Sequence, residues 1–200
     1  MGGVRGRDVS GGGPLPVPRS KFGCPAVPVR AIARPRLAGI LAQPEWRVAL
    51  VTGGPATGKT VAVAQWFGTL DPIAREWVTL DAHDDRPERF WLTFALALER
   101  AAPGAFAQTA ASVTDVHRLP PEFPGRLLAA WSAVKEPLVI VLEDVYHLQS
   151  PQIIEDLGFV VDHLPGRSRM LLTSRADPRL PVSRWRGRAG SPSSASAIWR

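Results

Sequence analysis

The chain is nearly devoid of cysteine: Cys24 is the single one among 200 residues. A lone cysteine excludes an internal disulfide and is typical of proteins in reducing compartments. The sequence also lacks any run approaching the roughly 20 apolar residues that cross a bilayer. Its N-terminus lacks the apolar core of a secretory signal. These absences predict a cytoplasmic protein with no membrane partner.

Lysine and, at the two ends, acidic residues are also scarce. Only three of the 24 basic residues are lysines, namely Lys21, Lys59 and Lys135. Residues 1–36 hold seven basic and one acidic residue, and residues 165–200 hold eight basic and one acidic residue. Residues 37–164 are acidic, with nine basic and sixteen acidic residues. The basic charge therefore lies in the flanks, where it is more typical of solvated arms than of a nucleic-acid surface.

A glycine-rich stretch organises the middle of the chain. Residues 53–60 match G-x-x-x-x-G-K-[ST], the phosphate-binding loop of P-loop nucleotidases. An apolar run over 47–52 predicts a buried parallel strand before the loop, and residues 58–69 predict a helix after it. Backbone N–H groups and the helix dipole then converge on one point, which binds phosphates. Lys59 is expected to reach the β- and γ-phosphates and Thr60 to ligate Mg²⁺. The predicted nucleotide-binding residues are Gly53, Gly54, Pro55, Ala56, Thr57, Gly58, Lys59, Thr60 and Val61.

A second informative stretch runs straight from apolar residues into two acids. Residues 138–142 predict a buried parallel strand, and Glu143 and Asp144 follow it at the sheet edge where ligands bind. After a phosphate loop this is the Walker B pattern, in which one acid holds Mg²⁺ and its neighbour orients or deprotonates water. Which acid has which task stays open. Residues 168–175 predict a further strand ending in Arg175, which is either a sensor of the γ-phosphate or a surface arginine.

The remaining periodicity predicts an α/β fold, a P-loop NTPase with a parallel sheet flanked by helices. A strand is expected over 76–81, and helices over 37–42, 88–102, 123–135 and 152–163. Asp85 is a candidate cap for the helix over 88–102. In that helix a packing face is formed by Phe90, Trp91, Phe94, Leu98 and Ala101. Composition divides the chain into a disordered Gly/Pro-rich arm (1–28), the NTPase domain (29–182) and a low-complexity basic tail (183–200).

Taken in order, these motifs resemble the MalT-like, LuxR-type transcriptional regulators, whose nucleotide module is a STAND-class P-loop ATPase. The resemblance covers roughly residues 20–190. The phosphate loop alone is generic, and the Ser-Arg-x-Asp-Pro run at 174–178 narrows the resemblance to this family. It rests on Arg34-Pro35-Arg36-Leu37, the phosphate loop, Trp77-Val78-Thr79-Leu80-Asp81, Leu142-Glu143-Asp144 and Leu172-Thr173-Ser174-Arg175-Ala176-Asp177-Pro178.

The resemblance implies a nucleotide-driven switch. ATP with an inducer favours an oligomer, ADP keeps the resting state, and hydrolysis of ATP to ADP and phosphate resets it. The resemblance implies Lys59 and Thr60 on phosphate and Mg²⁺, and Glu143 and Asp144 as the Walker B pair. It also implies that Arg175 is a sensor arginine and that residues 34–37 lie near the base of the nucleotide.

The sequence departs from the family in several respects. Glu143 stands where the family has aspartate, and Tyr146-His147 stand where a histidine commonly follows. Four strands of an implied five are found, and the missing one belongs beside the phosphate-loop strand. An incomplete fold is therefore expected, with this edge covered by the N-terminal segment or the chain poorly soluble. No DNA-reading element is visible after residue 189.

The leading hypothesis is an Mg-ATP-binding switch module with slow hydrolysis, which associates with itself or with a full-length regulator. A small-molecule P-loop kinase is an alternative that needs a lid, for which Asp115 and Arg118 are the candidates. A third hypothesis is a non-catalytic fragment that binds a partner through its open sheet edge.

Overall fold

A five-stranded parallel sheet forms the centre of the fold, in the order β2-β3-β4-β1-β5. The computed structural model describes residues 17–43, 45–70, 73–113, 119–182 and 185, and the backbone of 195–199. The predicted α/β class with a parallel sheet is confirmed, and all four predicted strands form, their ends displaced by at most two residues. The strands are β1 (Trp46–Thr52), β2 (Ala74–Thr79), β3 (Leu138–Glu143), β4 (Arg169–Ser174) and β5 (Ala195–Trp199).

Helices cover both faces of the sheet because alternate strand residues point to opposite sides. In β1, Val48 and Leu50 join the apolar cluster under α3 to α6, whereas Ala49 and Val51 join the cluster under α1 and α2. Within the described residues, no helix is both long and apolar enough to span a membrane. The helices are α1 (Pro35–Ala42), α2 (Lys59–Gly68), α3 (Pro87–Ala101), α4 (Ala107–Ala111), α5 (Phe123–Ala133) and α6 (Pro151–Asp162).

The edge of the sheet beside β1 is not open, contrary to the expectation of four strands. β5 pairs with β1 in parallel, from Ala195 opposite Trp46 to Trp199 opposite Val51. Residues 195–199 were expected in a low-complexity tail because the preceding Ser- and Ala-rich stretch shows no strand periodicity. Their strand conformation depends on pairing with β1, which is distant in sequence, and local propensity does not reveal such pairing.

The N-terminal segment packs at the opposite edge of the sheet, along β2. Phe22 forms an antiparallel bridge with Val78, and the Gly23 N–H donates to the Trp77 carbonyl over 3.0 Å. The prediction that this segment covers the edge of β1 is wrong for residues 17–28. The prediction of a disordered arm is also wrong for the residues of this segment that contact β2. The outer edge of β2 carries backbone groups that need partners, and this segment supplies some of them. Residues 1–16 lie outside the described part of the chain.

The aromatic face of α3 lies in the core, as predicted. Phe90, Trp91, Phe94 and Leu98 are each at most 1% exposed. The Trp91 ring lies 5.8 Å from that of Phe123 on α5, between centroids. The helical spacing of these side chains therefore marks packing and not a base-stacking surface.

Asp85 does not cap α3, contrary to the prediction. The residue that precedes α3 is Arg86, which makes no side-chain cap. The Asp85 Oδ1 atom instead accepts the N–H groups of Gln149 and Ser150, over 2.6 and 2.7 Å, ahead of α6. β2 and β3 are neighbours in the sheet, so the loops that follow them are adjacent and the carboxylate crosses from one to the other.

Candidate nucleotide site

The glycine-rich loop joins β1 to α2 through a tight turn. Gly58 immediately precedes α2 with φ of 78°, a left-handed conformation that glycine adopts at little cost. At Gly53, an added Cβ would lie 3.2 Å from the Thr57 Oγ1 atom. The Gly53 N–H donates to the Ser174 carbonyl at the end of β4. The two strands thereby hold the loop at the C-terminal edge of the sheet.

The Lys59 ammonium lies inside the loop. Its Nζ atom donates to the carbonyl oxygens of Gly53 and Gly54, over 2.5 and 2.8 Å, and lies 3.4 Å from the Thr57 hydroxyl. Burial lowers the pKa of Lys59, and the charge of Arg175 adds to that effect while Asp144 and Glu143 oppose it. A cation at the centre of the turn is placed to meet a phosphate chain there.

Thr60 and Glu143 meet across the C-terminal edge of the sheet. The Thr60 hydroxyl donates to Glu143 Oε1, so the first turn of α2 contacts the end of β3. Glu143 is 5% exposed. Its second oxygen, Oε2, accepts the Thr79 hydroxyl over 2.9 Å and the Trp77 indole N–H over 3.1 Å. The predicted Walker A threonine and first Walker B acid are therefore in direct contact.

Asp144 and Arg175 form the other side of the site. Asp144 has a left-handed backbone with φ of 62°, and its N–H donates to the Thr173 hydroxyl over 3.1 Å. Arg175 Nη2 lies 3.3 Å from Asp144 Oδ2, and the guanidinium lies 5.5 Å from the centre of the Tyr146 ring. Arg175 thus occupies the rim of the site with its side chain half exposed.

Residues 34–37 lie beside the phosphate loop. The Arg34 guanidinium donates to the Thr57 carbonyl over 2.8 Å, and Leu37 is buried beneath it in the core. An open groove of about 730 Å³ runs from Arg34 between α1 and α2.

Two partners of Glu143 escaped the sequence analysis. Trp77 and Thr79 lie on β2, and the register places Thr79 opposite Glu143 and Trp77 two residues before it on the same face. The polar residue Thr79 at the end of β2 could have indicated a contact with Glu143. That interpretation requires knowing that β2 lies next to β3 in the sheet.

The oxygen donors of the site fit Mg²⁺ bound together with a nucleotide. Within the part of the chain that the structure describes, no three His, Cys, Asp or Glu side chains cluster as a metal site. Mg²⁺ on a nucleotide needs only one or two carboxylates, with water and phosphate oxygens as the other ligands. The adjacent Thr60 hydroxyl and Glu143 carboxylate supply that set.

Comparison with solved structures gives two likenesses at low identity. One is to the Aeropyrum pernix ORC1 protein in complex with DNA, with a TM-score of 0.49 and 18% identity over 83% of this chain and 44% of that one. The other is to C. elegans PCH-2, with a TM-score of 0.39 and 11% identity over 82% of this chain and 40% of that one.

Comparison with curated sequences gives a stronger relationship. No family model matches the chain. Over 174 residues, or 84% of its length, the chain is 29% identical to the HTH-type transcriptional regulator MalT of Cronobacter sakazakii (strain ATCC BAA-894). It spans 19% of that relative's length. Over most of its residues the chain is therefore a homologue of a MalT-type transcriptional regulator, as its motifs predicted.

Proposed function

We propose that this chain is a nucleotide switch module that binds ATP with Mg²⁺ and hydrolyses it slowly. The observation that carries the proposal is the convergence of five side chains at one edge of the sheet. Lys59 sits in the glycine-rich loop, Thr60 touches Glu143, and Asp144 lies against Arg175. A triphosphate in the loop would meet a cation on one side and a carboxylate pair on the other.

The geometry supports a division of labour between the two acids. Glu143 touches Thr60, so it is the acid placed to hold Mg²⁺ with that hydroxyl. Mg²⁺, when bound, neutralises charge on the β- and γ-phosphates. Asp144 is the acid without such a tie to the loop, and we assign to it the orientation of the attacking water. Arg175, beside Asp144, is placed to contact the γ-phosphate.

The similarity to a transcriptional regulator supports the proposed role as a switch. A module whose site includes groups at the rim, such as Arg175, changes surface charge when a γ-phosphate arrives or leaves. We propose that this change governs association with a second copy or with a full-length regulator.

One of the two alternative functions loses support, and the other stays untested. A partner-binding fragment was motivated by an open edge beside β1, and β5 occupies that edge. A kinase requires a lid, and its candidate residues Asp115 and Arg118 lie outside the described residues. No specific observation favours either alternative.

The proposal is tested by measuring ATP affinity in the presence of Mg²⁺ for the wild type and for Lys59→Ala. Lys135→Ala is the matched control, since Lys135 is exposed at a distance from the loop. Lys59→Ala is expected to weaken binding at least about tenfold, because it removes a charge-assisted contact, whereas Lys135→Ala leaves it unchanged. Equal affinities of all three proteins would overturn the proposal. Phosphate release by Asp144→Asn then tests the assignment of the water-orienting acid.

A further inference from the structure

The Glu143 carboxylate is held from both sides, and each oxygen has its own partners. Oε1 accepts the Thr60 hydroxyl from the phosphate loop, and Oε2 accepts the Thr79 hydroxyl and the Trp77 indole N–H from β2. Trp77 has no exposed surface. A buried indole N–H usually has an acceptor, and for Trp77 that acceptor is the acid beside the phosphate loop.

The length of the Glu143 side chain explains why these contacts matter. Glu143 has one methylene more than aspartate, and a metal ligand has to lie within a few tenths of an ångström of a fixed distance. An unrestrained longer side chain would sample several rotamers at the end of β3. Two donors on Oε2, both from the neighbouring strand, draw the side chain back towards β2 and leave Oε1 facing Thr60.

Packing alone does not account for the arrangement of Trp77. Its ring makes an edge-on contact with Phe67 at 5.7 Å between centroids, which any aromatic residue could provide. The indole N–H adds a directional contact that phenylalanine cannot make. Thr79 is only partly buried, so its hydroxyl could bond to water instead, yet it donates to Glu143.

We infer that Trp77 and Thr79 are positioning residues, which fix Glu143 so that this longer acid presents one oxygen to Mg²⁺ beside Thr60. The inference rests on the proposed function. It goes beyond it in assigning a task to two β2 residues that do not touch nucleotide or metal. It also explains how glutamate serves at a position where the family that the sequence resembles has aspartate.

The test compares ATP affinity with Mg²⁺ to ATP affinity in EDTA, so that the effect of the metal is separated from that of the phosphate loop. Thr79→Val and Trp77→Phe each remove one donor with little change of shape. Each is expected to reduce the tightening of ATP binding by Mg²⁺ about tenfold, the size expected for one hydrogen bond to a charged group. Affinity in EDTA should stay unchanged.

Two matched controls exclude a general loss of stability. Thr93→Val and Trp131→Phe alter buried side chains whose polar atoms have no hydrogen-bond partner among the described residues. Both are expected to preserve the effect of Mg²⁺. In a Glu143→Asp background, Trp77→Phe should cost nothing further, because the shorter acid does not depend on being drawn back.

The outcomes separate this inference from the proposed function. If ATP fails to bind the wild type, the proposed function falls and this inference falls with it. If ATP binds and Thr79→Val and Trp77→Phe respond to Mg²⁺ like the wild type, the inference alone is overturned. An equal cost of Trp77→Phe in the wild-type and Glu143→Asp backgrounds would also overturn it, since that result marks a purely structural role.

Discussion

The Lys21 ammonium lies 2.5 Å from Oδ2 of Asp84, and neither side chain is more than 7% exposed. The same ammonium lies 2.7 Å from Asp81, and Arg89 approaches the other Asp84 oxygen at 3.5 Å. Lys21 is 63 residues from Asp84 along the chain. The contact fastens the N-terminal segment to the loop after β2. Side chains of β2 also donate hydrogen bonds to Glu143, at the end of β3.

Replacing Lys21 by methionine tests how much this contact stabilises the fold. The change keeps the apolar stem and leaves Asp84 as a buried charge with a weaker partner, so unfolding should become easier by about 3 kcal/mol. Urea unfolding monitored by circular dichroism gives the value. Lys135→Met is the control and should lie within about 0.5 kcal/mol of the wild type. A Lys21→Met variant as stable as this control would show that the pair contributes nothing.

The Cys24 thiol is expected to react slowly with alkylating reagents. Burial of the thiol raises its pKa to about 11; Arg75 opposes this rise, and the charge of Glu143 adds to it. At pH 8 the thiolate fraction should be about 100-fold below that of a thiol with the ordinary pKa of 9.0.

Iodoacetamide labelling between about pH 7 and pH 11 measures this effect, with the urea-unfolded protein as the reference. The rate in the folded protein should still be rising at the upper end of the range. Glu143→Gln should lower the pKa and speed the reaction, because it removes a negative charge near the thiol. A folded-state rate equal to the unfolded one would contradict the expectation.

Asp85→Ala should destabilise the protein by about 1–2 kcal/mol, because it removes a carboxylate that accepts two backbone N–H groups from the loop before α6. The variant removes the acceptor of two N–H groups ahead of α6, whereas Asp85→Asn keeps an acceptor oxygen and should recover part of the loss. Thermal unfolding of both variants, with the exposed Glu155→Ala as control, checks the effect. If these two hydrogen bonds do not stabilise the fold, Asp85→Ala and Glu155→Ala will unfold at the same temperature.

The parts of the fold that sequence predicts well are those that local pattern decides. The first five positions of β3 are buried, as their uninterrupted apolar run predicted. The face of α3 followed from helical spacing in the same way. β5 has no such pattern, because pairing with β1 decides its conformation. Asp85 shows the same limit, since its partners at 149 and 150 become neighbours only when β2 and β3 pair.

The same distinction between local pattern and tertiary contact applies to the candidate site. The loop residues and the two acids could be named from their motifs, and the structure brings Thr60 against Glu143 and Arg175 against Asp144. The motifs could not distinguish the two acids, because that difference lies in their contacts. Only the fold shows that Glu143 is tied to Thr60 and β2 while Asp144 faces the rim. Their roles in binding and hydrolysis remain predictions for the experiments above.

The position of β5 has a consequence for biosynthesis. Of the five strands, β1, which leads into the phosphate loop, leaves the ribosome first, and its neighbour β5 leaves last. Throughout translation of the intervening residues, the nascent chain exposes a strand edge next to its own ligand loop, which is a site for mispairing.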